Sequence, residues 1–139
     1  MERVKNFLNI SANLKKTVAD TLSSEILDAA KKIKNSLDSG GKLFLMGNGG
    51  SAADAQHIAA ELIGRFKKER KAMPALALTV DTSSLTALGN DYGFDTIFER
   101  QIEALAGKND AVIGISTSGN SENVVRGINK ANSIGTYTI

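Results

Sequence analysis

Leu43-Phe44-Leu45-Met46-Gly47-Asn48-Gly49-Gly50-Ser51-Ala52-Ala53-Asp54-Ala55-Gln56-His57 joins an unbroken apolar run, a glycine-rich turn and a helical pattern. A continuous apolar run, as opposed to an alternating one, is the signature of a strand buried on both faces. The same rhythm returns at Ala75-Leu76-Ala77-Leu78-Thr79-Val80 and at Ala111-Val112-Ile113-Gly114-Ile115. Each run is followed by small polar residues and then by helical spacing. Alternating strand and helix predicts an α/β fold, a doubly wound parallel sheet with helices on both sides. Pro74, the only proline, precedes the second run, where a missing N–H does least harm.

Outward from this core, Glu122–Ser133 reads as a helix with Val124, Val125, Ile128 and Ala131 inward, and Gly135 ends it. Thr136-Tyr137-Thr138-Ile139 then opens a fourth strand with no covering helix after it. The expectation is therefore a domain whose C-terminal strand and helix are missing from these 139 residues. Upstream, residues 1–39 read as two amphipathic helices. Val4, Phe7, Leu8, Leu14, Val18 and Leu22 mark the first; Ile26, Leu27, Ala30, Ile33 and Leu37 mark the second, from about Ser24 to Ser39. Gly40-Gly41 is a helix stop. The pattern leaves open whether both stripes pack on the domain's own sheet or form an oligomerisation arm.

Composition narrows the function classes. The chain is 42% hydrophobic, 23% charged and 5% aromatic, ordinary for a single globular domain. With no cysteine, a thiol nucleophile, a cysteine-ligated metal site and a disulfide scaffold are excluded. The absence of any long apolar stretch argues against a membrane span. The start, Met1-Glu2-Arg3-Val4-Lys5-Asn6, leads into no apolar h-region, so a cytoplasmic address is the default. Seventeen basic residues against fifteen acidic ones, with no tryptophan, point away from nucleic acid.

Two loops carry the chemistry. In Gly47-Asn48-Gly49-Gly50-Ser51 the glycines let backbone N–H groups approach a ligand, and Ser51-x-x-Asp54 reads as a capping box that opens the helix. A helix N-terminus is an anion site. The loop lacks the Gly-Lys-Ser/Thr of a Walker motif and the spacing of a dinucleotide fingerprint, so a tight structural turn stays an equal reading. Ser116-Thr117-Ser118-Gly119-Asn120-Ser121 is more telling, with four hydroxyls around one glycine at the start of another helix. Hydroxyls and helix-terminal N–H groups supply the many donors that a phosphate needs. Two such loops at the carboxyl ends of parallel strands favour a small phosphoester.

His57, the only histidine, and Glu61 are one helical turn apart on the helix that the first loop opens. Such a pair can share a divalent metal or act as an acid–base pair, although a lone His–Glu pair is more often a surface contact. The pair is expected one to two turns from a bound phosphate. Gly89-Asn90-Asp91-Tyr92-Gly93 reads as a turn that could bring Asp91 to sugar hydroxyls. Arg65 either pairs with phosphate or begins the solvated run Lys67-Lys68-Glu69-Arg70-Lys71.

The stretches Gly47–His57, Gly89–Phe94 and Gly114–Ser121 together resemble the sugar isomerase (SIS) domain family, and within it the phosphoheptose isomerases. The likeness covers nearly all of residues 1–139: a helical oligomerisation arm over 1–39 and an α/β phosphosugar-binding core over 42–139. It implies a flavodoxin-like five-stranded parallel sheet in a homotetramer built around the leading helices. The implied reaction is an aldose–ketose isomerisation of D-sedoheptulose 7-phosphate to D-glycero-D-manno-heptose 7-phosphate through an enediol, toward bacterial lipopolysaccharide. By the same resemblance Ser51, Ser116, Thr117, Ser118 and Ser121 hold phosphate and nearby hydroxyls. Asn48 and Asp91 hold the sugar, and Gly49, Gly50, Arg65 and Asn90 complete the substrate-binding set. Glu61 is the general base, and His57 with Glu61 contributes to one Zn²⁺ per subunit, two roles that compete for the one carboxylate.

The family's final helix carries a glutamine and a second histidine that complete the metal site and supply the acid. Neither is matched here, so residues 1–139 alone are expected to be inactive, whereas a protein that continues into such a tail is expected to be active. Two other readings resemble parts of the same family: a non-catalytic partner of a replication initiator protein, and a regulatory phosphosugar-binding module. The presence of Glu61 favours the enzyme.

Overall fold

Three consecutive crossovers build one parallel sheet. The computed structural model describes all of residues 1–139. Strands β1 (Leu43–Gly47), β2 (Ala75–Ala77), β3 (Ala111–Ile115) and β4 (Tyr137–Thr138) lie in the order β2-β1-β3-β4. β1 pairs in parallel with β2 and β3, and β3 with β4. The sheet has four strands where the resemblance implies five. β2 is shorter than its apolar run: Leu78 still donates to the Leu45 carbonyl at 2.8 Å, but the chain turns at Thr79 and leaves Val80 exposed.

The helices are α1 (Glu2–Asp38), α2 (Gly50–Ile63), α3 (Thr82–Tyr92), α4 (Ile97–Leu105) and α5 (Glu122–Ile134). Residues 33–139 form one compact unit with the sheet at its centre. Because side chains alternate along a strand, β1 feeds two cores. Phe44 and Met46 pack with Leu78, Phe98, Ile102, Val112 and Val124 beneath α4 and α5. Leu43 and Leu45 pack with Ala55, Ala59, Ala75 and Ala111 under α2, where Ile33 and Leu37 from the end of α1 also join. The small alanines on α2 let it lie close on the sheet. This three-layer arrangement is the doubly wound class expected from the apolar runs.

Residues 1–32 form the other unit, and it is helical throughout. The expected break near Ser24 is absent, and α1 is a single 37-residue helix. No glycine or proline lies between Leu22 and Lys34. Ser23 turns its hydroxyl back onto the Ala19 carbonyl within the helix and Ser24 donates to the Glu25 carboxylate, so both hydroxyls find partners without breaking α1. The stripe Val4, Phe7, Leu8, Leu14, Leu22, Ile26 and Leu27 is exposed.

Asp81 caps α3. Its carboxylate accepts from the Ser84 N–H at 3.0 Å and from the Ser84 hydroxyl at 2.7 Å. The Ser84 backbone bond first, then its hydroxyl, hold the Asp81 carboxyl below its ordinary 3.8. A carboxyl lowered by folding stabilises above its unfolded pKa, and that contribution is lost as pH falls through the folded value. Asp81→Ala is therefore expected to lower the melting temperature at neutral pH, with the gap to wild type closing as pH falls below 3.8. A gap that stays constant over that fall contradicts the cap.

Candidate active site

β1 and β3 are neighbours, yet the chain leaves β1 toward β2 and leaves β3 toward β4. The crevice outside a parallel sheet at such a reversal is where ligands bind in this class. Gly47 is in register with Ile115, so the loops after the two strands start at the same level. A Cβ on Gly47 would lie 2.8 Å from Ser51 Cβ and 2.9 Å from the Ile115 carbonyl oxygen. Only glycine lets the two loops approach this closely. Gly49 turns the chain with φ +55°, a conformation that side chains rarely adopt.

That turn starts α2 earlier than the sequence implies. Gly49 occupies the cap position without a side-chain bond, and Ser51 lies inside the first turn. The Ser51 N–H donates to the Asn48 carbonyl at 3.0 Å, while Ala52 and Ala53 donate to Gly49 at 3.1 and 3.2 Å. Asp54 therefore has no free N–H at residue 51 to reach back to, and the expected capping box does not form.

In the second loop Ser116 Oγ is the hub. It lies 3.0 Å from Ser121 Oγ and 3.3 Å from Ser118 Oγ, and it accepts from the Gly119 N–H at 3.1 Å. Ser118 Oγ accepts from the Asn120 N–H at 3.1 Å. Ser121 holds the cap position of α5 with no side-chain cap bond, its hydroxyl being turned to Ser116 instead. Three hydroxyls thus gather at a helix N-terminus, with Thr117 between them in the chain. This concentrates donors and a partial positive charge in a small volume, which suits a phosphate dianion.

A bridge between the loops was not legible in the sequence. Asn48 Nδ2 donates to Asn123 Oδ1 at 2.8 Å, and Asn123 Nδ2 donates back to Asn48 Oδ1 at 2.9 Å. Asn123 lies in the first turn of α5 and is only 3% exposed. A pattern signal was available: an asparagine just inside a helix competes with its backbone and needs another reason to be there.

His57 and Glu61 do meet on α2, with Nε2 3.8 Å from Oε1. They lie on the face turned away from the buried Ala55 and Ala59, with His57 exposed and Glu61 half-buried. At about 1.5 Å of rise per residue, His57 is roughly 9 Å and Glu61 roughly 15 Å along the helix from Ser51. That is up to nearly three turns from Ser51. Helical side chains lean toward the N-terminus, which shortens the gap to the loops.

Other expected residues are placed differently. Asn90 and Asp91 are not in a turn but in the last turn of α3, with Gly93 ending it at φ +90°. Asn90 Nδ2 donates to Asp91 Oδ1 at 2.9 Å. Arg65 lies beyond the end of α2 and pairs with Glu69 at 3.2 Å on the surface. Within the supposedly solvated basic run, Arg70 is tucked under that helix end. Its guanidinium donates to the carbonyls of Glu61 at 2.7 Å and Leu62 at 2.8 Å. A cation here satisfies orphan C-terminal carbonyls and anchors the turn that carries Glu61.

A family model for the SIS domain matches residues 6–139. The chain belongs to the SIS domain family. It is 60% identical over its whole length to the phosphoheptose isomerase of Aquifex aeolicus, covering 73% of that protein. It is 51% identical, again over its whole length, to that of Geotalea daltonii, covering 72%. The structure of the phosphoheptose isomerase from Neisseria gonorrhoeae superposes with a TM-score of 0.91 at 43% identity, covering 99% of this chain and 71% of that one. The enzyme from Francisella tularensis superposes with a TM-score of 0.94 at 36% identity, covering 99% and 72%.

Within this SIS domain the zinc expectation meets a limit. No cluster of three or more His, Asp or Glu side chains that could hold a metal exists among residues 1–139. His57 and Glu61 are two donors, short of the three or four protein ligands of a zinc site. These residues by themselves do not fit a resident zinc ion.

Proposed function

We propose that this SIS domain serves an aldose–ketose isomerase acting on D-sedoheptulose 7-phosphate and yielding D-glycero-D-manno-heptose 7-phosphate. The observation that carries this is the hydroxyl cluster of Ser116, Ser118 and Ser121 at the start of α5, beside the glycine turn that starts the Glu61 helix. Full-length identity to named phosphoheptose isomerases supports the same substrate.

In this reading the hydroxyl loop and the N-terminus of α2 with Ser51 hold the phosphate, and Asn48, Asn90 and Asp91 hold the sugar. The Glu61 carboxylate takes the proton from C1 of the ketose. The C1–H electron pair becomes the C1–C2 double bond, and the C2 carbonyl oxygen is protonated, giving the enediol. Return of a proton to C2 and loss of the O1 proton regenerate a carbonyl at C1. A carboxylate suits both directions of transfer because it can take the proton from one carbon and return it to the next.

His57 and Glu61 would give a Zn²⁺ ion two donors only, so a zinc site needs ligands besides these, and no step is routed through it. The apolar stripe of α1 is read as the seam of a homotetramer, and a cytoplasmic role in heptose supply completes the proposal. No helix is long and apolar enough to cross a membrane. The test is to incubate the protein with D-sedoheptulose 7-phosphate and follow the aldose anomeric proton by NMR. Its growth to a constant ketose–aldose ratio is expected. Saturable binding without any aldose would instead favour a regulatory module.

A further inference from the structure

We propose that Asn123 is a positioning residue that locks the Asn48 amide in one orientation and so couples the glycine turn after β1 to the hydroxyl loop after β3. The inference rests on the functional reading only for the role of Asn48 as a sugar ligand. Its physical basis is a chain of three hydrogen bonds. The Val124 N–H, which donates to the Ser121 carbonyl at 2.9 Å, is also shared with Asn123 Oδ1 at 2.9 Å, and this favours an oxygen over an NH₂ group at that position. With Asn123 so fixed, its Nδ2 faces Asn48 Oδ1 and its Oδ1 faces Asn48 Nδ2, at 2.9 and 2.8 Å.

Turning Asn48 over would place NH₂ against NH₂ and oxygen against oxygen. Both bonds would be lost, and at Asn123, which is 3% exposed, water has little room to replace them, while Asn48 itself is half-buried. The backbone of α5 therefore dictates which end of the Asn48 amide a ligand meets. One N–H and one lone-pair site of Asn48 remain outside the pair and can serve a sugar hydroxyl. Asn123 itself is buried, so it acts through Asn48. The partners are 75 residues apart in the chain, and nothing but this pair is seen to join the two loops by side-chain hydrogen bonds.

The test is a double-mutant cycle with Asn123→Asp, Asn48→Ala and the combined variant. The dissociation constant for D-sedoheptulose 7-phosphate is measured by calorimetry beside turnover and melting temperature. The aspartate is nearly isosteric and keeps acceptors for the Val124 N–H and for Asn48 Nδ2. It replaces the bond to Asn48 Oδ1 by an oxygen–oxygen repulsion. Asn123→Asp is expected to weaken binding tenfold or more. Adding Asn48→Ala should then cost less than twofold further, because the lost function already passes through Asn48.

Losses that multiply overturn the proposal, since a charge acting directly on the phosphate would persist without Asn48. Binding within twofold of wild type overturns it as well, as does a lowered melting temperature with unchanged affinity. Should Asn123→Asp fail to fold, Asn123→Ser, which keeps an acceptor and a donor, enters the same cycle. Wild-type protein that binds but does not turn over the ketose refutes the isomerase reading and leaves the cycle to judge the bridge. Wild-type protein that does not bind overturns both.

Discussion

Replacing Glu61 by glutamine is expected to lower kcat for ketose-to-aldose conversion by about 10³-fold, within the range of positioned general-base catalysis. The substitution keeps size and hydrogen-bonding reach but removes the ability to accept a proton. The side chain of Glu61 is partly exposed and its contact with His57 spans 3.8 Å, so the fold is expected to survive unchanged. KM should move by only a few-fold, because the phosphate is held elsewhere. Progress curves by NMR, with melting temperature as the folding control, check this. Wild-type turnover by Glu61→Gln would remove Glu61 from the mechanism.

The second large effect is expected at the hydroxyl loop. Ser116 Oγ both faces the proposed phosphate and ties Gly119, Ser118 and Ser121 together. A hydrogen bond to a charged group contributes about 1.5–3 kcal/mol, roughly 10- to 100-fold in affinity. Ser116→Ala should weaken D-sedoheptulose 7-phosphate binding by at least that factor, and adding Thr117→Val should weaken it further. The same variants should change binding of the phosphate-free sugar much less. Calorimetry with both ligands separates a phosphate loop from a general loss of the site. Equal losses for both sugars, or no loss for either, would contradict the assignment.

How far the sequence reaches depends on how local each feature is. β1, its glycine turn and α2 were legible because apolar run, turn and helix are adjacent in the chain. The hydroxyl loop was legible for the same reason. The split of α1 was misjudged at Ser23-Ser24, where hydroxyls satisfied within the helix leave no mark on the residue pattern. Gly89–Gly93 read as a turn because its residues favour turns, yet α3 runs on through the exposed Asn90, Asp91 and Tyr92 until Gly93 ends it at φ +90°. Arg70 was hidden among surface lysines, since composition does not tell a solvated cation from one folded back on a helix end.

The Asn48–Asn123 pair lay beyond sequence reasoning because it depends on β1 lying beside β3, a property of strand order. The relation of His57 and Glu61 was local and correct, and their rise along α2 from Ser51 follows from the same helical spacing. Glu61 thus stands on a helix whose N-terminus enters one loop and whose C-terminus is clamped by Arg70. That arrangement gives the carboxylate a fixed place relative to the two loops proposed to hold phosphate.

The central claim is proton transfer between C1 and C2, and isomerisation in heavy water tests it most directly. D-Sedoheptulose 7-phosphate converted in D₂O should yield D-glycero-D-manno-heptose 7-phosphate carrying deuterium at C2, with the ketose pool gaining deuterium at C1. Both signals should vanish with Glu61→Gln. Aldose formed with no solvent deuterium in either sugar would mean that the hydrogen never reaches an exchangeable carboxyl, and it would contradict the enediol account built on Glu61.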